Sequence, residues 1–223
     1  MNKLLFWNSF LSLLHSQGPP LMIASMINIS SLTFDTPLTY ASSVLSIIIL
    51  VFLALAIALE TYVIRSYQGR YDLSYFKLSY GASIEGLNTD TLAGRYWNPL
   101  TLLRWAITNL IMIFLRDHCV AQIFILLATS VIFQILLIGS KPMTGKWNQR
   151  MAIVIEASIS IYLYALLSLT DFMGENTRRI FLGWVLAILT GIVIGTNVLL
   201  FLWNFLCRAF IFTNLALQRY SAS

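Results

Sequence analysis

Apolar residues in this chain neither alternate nor recur at a single helical spacing; they run on in long blocks. Five blocks approach or exceed the ~20 apolar residues a helix needs to cross the hydrocarbon core of a bilayer. They fall at about 40–64, 99–115, 119–138, 151–170 and 181–203. The first, YASSVLSIIILVFLALAIALETYVI, is long enough to require tilt. Pro99 stands in the first turn of the second, where a missing N–H is tolerated. Only Arg116, Asp117 and His118 separate the second block from the third, which predicts a tight antiparallel helix hairpin with Asp117 capping the third helix. Between the first two blocks lies the one sizeable polar segment, 65–98, with four glycines and several tyrosines, expected to be an ordered juxtamembrane loop.

Residues 1–37 follow a different pattern. LLFWNSFLSLL has the length of a signal-peptide core behind Lys3, but no small-x-small cleavage site follows it. Gly18, Pro19 and Pro20 then separate it from LMIASMINISSL. Neither half is long enough to span. The expectation is an interfacial or re-entrant pair of short helices over 1–37, with a kinked sixth span as the alternative. The bundle then occupies 38–206 and a tail 207–223.

Composition agrees with the blocks. Hydrophobic residues make up 58% of the chain and charged ones 10%, with a mean hydropathy of +0.79. Soluble domains carry about a quarter charged residues. The class is therefore all-α, a polytopic transmembrane helix bundle of about five spans with lipid as its principal partner. The net charge of +5 does not point to nucleic acid, because the basic residues stand at block ends and form no cluster on a polar face. With five spans, ten Lys and Arg residues collect on one side and Lys3, Arg116, Arg178 and Arg179 on the other, which places the C-terminus inside. Asn28-Ile29-Ser30 is then an outward N-glycosylation triplet, of a kind that also arises by chance. Cys119 and Cys207 fall at opposite faces and read as small buried hydrophobes. Trp97, Trp105, Trp147, Trp184 and Trp203 stand near span ends as interfacial anchors, and Gly191 and Gly195 would allow close helix approach.

Candidate chemistry is sparse. Two histidines, His15 and His118, leave no basis for a four-histidine haem site or a histidine metal centre. No nucleophile elbow, phosphate loop, zinc motif or selectivity-filter run occurs, so neither catalysis nor a cofactor or metal is expected. What remains is a set of polar residues within the spans. Glu60, Arg104 and Glu156 each lie four or five residues from the inner end of their block, a depth of roughly 6–9 Å at 1.5 Å per residue. Gln134 and Asn197 come out at the same level, so each span contributes one strongly polar residue to one layer. The expected pairing is Arg104 with Glu156, and Glu60 as a further partner. Such a layer serves as a structural clasp fixing helix register, or as an ion or proton path; snorkelling of Arg104 and Glu60 to the headgroups is the third reading.

Several short elements from Phe34 to Trp203 carry a family likeness. They are FDTP at 34–37, PLTLLR at 99–104, Arg116-Asp117-His118 with Gln122, Lys141-Pro142 with Asn148 and Glu156, LTDF at 169–172, and Gly183-Trp184 leading to Asn197. This stretch resembles the C-terminal multi-pass membrane region of the large cysteine-rich surface proteins of ciliates, itself distantly similar to transient-receptor-potential-like membrane domains. The likeness implies a membrane module standing without the family's large cysteine-rich ectodomain. The expected function is a non-catalytic integral subunit packed against other membrane proteins or its own copies; the alternative is a transient-receptor-potential-like channel or transporter module.

Overall fold

In lipid every backbone N–H and C=O must find its partner within the spanning structure, so long apolar blocks fold as helices. The computed structural model describes residues 2–32, 34–71, 73–169, 180–181, 183–192, 194–195, 198 and 202. The helices are α1 (Asn2–Ser30), α2 (Pro37–Ser66), α3 (Ser74–Tyr80), α4 (Leu92–Arg95), α5 (Trp97–Phe114), α6 (Cys119–Ser140) and α7 (Lys146–Leu169). A 3-10 turn covers Gly81–Ser83, and a shorter apolar helix covers Gly183–Ile192. The chain divides into two compact units, Met1–Ala157 and Ser158–Ser223, and the packing described below lies within the first.

Three helices, α2, α6 and α7, are long and apolar enough to cross a membrane. That is fewer than the five expected from the sequence. Helix α5 reaches 18 residues, but Asn98, Thr101, Arg104, Thr108 and Asn109 dilute its apolar character. The last expected span, 181–203, lies largely outside the described residues, as does the tail. Helix α2 begins where its sequence dictates. The Thr36 hydroxyl accepts from the Thr39 backbone N–H, the Thr39 hydroxyl accepts from that of Thr36, and Pro37 occupies the first turn.

The N-terminal segment departs from expectation. It is one continuous helix of 29 residues that passes through Pro19 and Pro20. Two prolines remove the N–H groups that His15 and Ser16 carbonyls would accept, a loss that ordinarily breaks a helix. Tertiary packing overrides it here. Leu11, Leu14, Gly18, Met22 and Ser25 are all buried, a stripe at three- and four-residue spacing that runs straight across the proline pair. The leucines and Met22 join Leu53 and Ala56 of α2 and Leu102 of α5 in one apolar cluster. A Cβ at Gly18 would already stand 3.5 Å from the Leu102 side chain, so α1 and α5 approach closely at that point.

Polar contacts set α1 antiparallel to α2. Asn8 accepts at Oδ1 from the backbone of Ala82 at 2.8 Å, beyond the end of α2, and His15 meets Glu60 within it. Asn28 donates to Ser42 and, at 2.9 Å, to Ser46, near the start of α2. Asn28 Nδ2, the atom a glycan would occupy, is thus engaged between two helices, and the glycosylation triplet sits inside a helix where a sugar would displace both bonds.

The polar segment 65–98 is ordered by an aromatic cluster and by a second loop. Ile64, Tyr71 and Phe76 are buried together, flanked by Tyr67, Tyr80 and Tyr96. The Tyr71 hydroxyl donates to the Ile64 carbonyl at 3.0 Å. Burial raises the pKa of Tyr71 above its usual 10.0, against the opposing pull of Arg95; burial also raises that of Tyr80. Asn88 and Thr144 donate backbone N–H groups to the carbonyls of Pro142 and Gly86, so loop 84–91 pairs with loop 141–145. Gly94 permits a backbone crossing at this point, since a Cβ there would lie 2.0 Å from the Asn88 carbonyl oxygen.

At the α5–α6 hairpin Asp117 does not cap α6. The N-cap is His118, without a side-chain bond, and the Asp117 side chain is exposed beside Arg116 at 3.8 Å. The connection is closed from the other direction: Gln122 Nε2 donates to the Met112 carbonyl at 3.0 Å, satisfying one of the last acceptors of α5. Cys119 is exposed and not buried, because it starts α6 at the turn; Cys207 lies outside the described residues. Trp97 is a core residue instead of an interfacial anchor, packed with Leu87, Phe133 and Leu137. A Cβ at Gly191 or Gly195 would meet nothing within 4 Å, so no close helix approach forms there among the described residues.

Candidate functional site

Among the described residues two partly or fully buried ionisable pairs form, each built by different helices. The first joins α5, α6 and α7. Arg104 meets Glu156 in a bidentate contact, Nη1 to Oε1 and Nη2 to Oε2, the second bond being 2.8 Å long. Both side chains are largely buried, 17% and 14% exposed. The guanidinium also lies 4.7 Å from the centre of the Phe133 ring on α6. Gln134, the next residue on α6, donates from Nε2 to the backbone carbonyl of Glu156 at 2.9 Å. One α6 turn thus presents an aromatic face to the cation and an amide to the helix that carries the anion. A planar guanidinium suits such a forked, partly dehydrated pairing better than an ammonium does.

The second pair joins α1 and α2. His15 Nε2 lies 2.9 Å from Glu60 Oε1. The Glu60 side chain is fully buried, and its Oε2 has no hydrogen-bond partner among the described residues. Glu60 therefore does not join Arg104, as the sequence had suggested; it takes the histidine of the helix packed beside it. His15 was invisible as a partner because it lies in the segment that the prolines divide on paper. The signal that would have found it is the buried stripe of α1: His15 follows Leu14 on the edge facing α2.

The expected layer is brought together only in part. Arg104, Gln134 and Glu156 meet, Glu60 belongs to the other pair, and Asn197 lies outside the described residues. Arg116, Asp117 and His118 form the exposed turn of the hairpin and contribute to neither pair. Sequence reasoning also missed Asn109 on α5, 2% exposed, whose Nδ2 has no hydrogen-bond partner among the described residues. No group of three His, Cys, Asp or Glu side chains with metal-binding geometry occurs among the described residues.

No protein family, curated protein or solved structure matches this chain, and the likeness to ciliate surface proteins finds no support from those comparisons.

Proposed function

We propose that the chain is a non-catalytic multi-pass integral membrane protein acting as an accessory or scaffold subunit of a larger membrane assembly. The observation that carries this reading is the closure of its intramembrane charge at Arg104. Both guanidinium edges used there face both oxygens of Glu156, and Gln134 ties the same turn of α7 to α6. A carboxylate with both oxygens engaged in fixing helix register leaves neither oxygen as a ligand for a moving ion. Large apolar side chains such as Leu45, Ile48, Phe52, Phe124, Ile132, Ile135, Val154 and Ile161 stay exposed along α2, α6 and α7, a surface suited to lipid and to neighbouring subunits.

In this reading α5 and the stretch 181–203 cross the membrane along with α2, α6 and α7, and α1 crosses too. Its support is the antiparallel ladder of contacts from Asn8 at the inner loop to Asn28 near the opposite end of α2. Lys3 then moves to the inner side, and the basic residues divide eleven to three. The pairing of loop 84–91 with loop 141–145 fits, since both belong to that side. The C-terminus is inside.

Purification of the full chain in mild detergent tests the proposal. Stoichiometric recovery of different membrane subunits is the expected result. A homo-oligomer that carries ion current after reconstitution overturns it in favour of a channel.

A further inference from the structure

Beside the second pair lies a partly open cavity of about 240 Å³, formed by α1, α2, the end of α3 and the 3-10 turn that follows it. Its wall is aromatic: Trp7, Phe10, Phe52 and Tyr80 line it, with Trp7 against Phe10 and Phe10 against Phe52 at centroid separations of 5.9 Å. Two polar side chains interrupt that wall, Glu60 and Ser83. Glu60 is 2% exposed and Ser83 0%, and Glu60 Oε2 and Ser83 Oγ both lack a hydrogen-bond partner among the described residues.

We propose that this cavity is a binding site for a small lipophilic monoamine: an apolar, preferably aromatic body about the size of a phenylalkyl group, carrying one protonated amine. The inference is independent of the subunit reading above. His15 Nε2 engages Oε1, and Oε2 is left as a carboxyl acceptor with no partner among the described residues in an apolar surrounding. An unsatisfied buried acceptor of that kind is costly, and a charged donor relieves the cost most. An ammonium brings three donors and serves both Oε2 and the Ser83 hydroxyl; an alcohol brings one. An anion is repelled. The aromatic wall suits the body and attracts the cation. Size sets the rest, since an apolar cavity of about 150 Å³ accommodates benzene and this one has room for a short chain besides.

The test is equilibrium binding of 2-phenylethylamine to the full chain in lipid nanodiscs, with empty nanodiscs as the blank and 2-phenylethanol as the neutral isostere. The amine is expected to bind saturably at one site, about tenfold or more tighter than the alcohol. Glu60→Gln, which keeps the shape, is expected to remove that preference. Ala56→Phe, which fills the cavity from its lining without altering charge, is expected to abolish saturable binding of both. Equal affinity for amine and alcohol in the wild-type chain overturns the proposal, as does the absence of saturable amine binding. Those two results need no variant to fold. Amine binding that survives Ala56→Phe also overturns it, by placing the site elsewhere.

Discussion

Arg104–Glu156 and His15–Glu60 both hold a carboxylate between apolar helices, and they differ in what is left over. Glu156 receives a donor on each oxygen, and its own backbone carbonyl is held by Gln134. Glu60 meets His15 through one oxygen, and the other has no hydrogen-bond partner among the described residues, in a residue that lines an apolar cavity. The first pair joins three helices and engages both carboxylate oxygens; the second joins two and engages one. A membrane interior penalises any unpaired ionisable group, so a saturated pair reads as architecture and a half-saturated one as a place for something else. Partner geometry separates them.

The largest test of this contrast is Arg104→Gln. It strands the Glu156 carboxylate and is expected to cost about 3 kcal/mol, with most of the loss recovered in the Arg104→Gln, Glu156→Gln double variant. Thermal unfolding in detergent reads both; equal stability of the single and double variants would dissolve the clasp. Asn98→Ala removes the side-chain donor to the Ala82 and Ser83 carbonyls. It is expected to cost about 1 kcal/mol and to weaken amine binding at the cavity while leaving the Arg104 double-mutant coupling unchanged. Phe133→Leu removes the ring beside the Arg104 guanidinium and part of the core around Trp97, for about 1 kcal/mol, and leaves the second pair untouched. Smallest of the substitutions is Glu60→Gln, under about 1 kcal/mol, because an amide of the same shape can keep the His15 contact and a buried ionisable group is removed. A loss as large as that of Arg104→Gln would erase the distinction between the pairs.

The loop above the second pair responds to alkali. Burial raises the phenols of Tyr71 and Tyr80, so the unfolded chain ionises first. Their contribution to stability is complete below pH 10 and is lost as pH climbs through the raised folded values. Phenolate absorbance followed with tryptophan emission reads it, and Tyr71→Phe should flatten the curve.

Some of this was legible in the amino-acid order and some was not, for physical reasons. The long helices α2, α6 and α7 announce themselves because apolar content is a property of each block alone. Arg104 and Glu156 could be set at one depth by counting residues, and the structure brings them into contact. The Glu60 partner could not be counted out. It depended on whether a helix survives two prolines, and that is decided by the neighbours of Leu11, Leu14, Gly18 and Met22 rather than by the local sequence. Trp97 failed for a similar reason: a tryptophan at a span end looks the same on paper whether lipid or Phe133 covers it. Asp117 has the right identity for a cap, but the turn between α5 and α6 is closed by Gln122 instead.

The continuity of α1 carries a consequence for biosynthesis. Among the described residues α1 does not reach the apolar character of a self-sufficient span; what holds it is the face of α2 and the loop beyond. Residues 2–30 leave the ribosome before that face exists, so in the topology proposed above α1 enters the bilayer only once α2 has emerged, the two together as a hairpin. Nascent chains halted within α2 should release the first helix to alkaline carbonate, and chains halted past Ser66 should retain it.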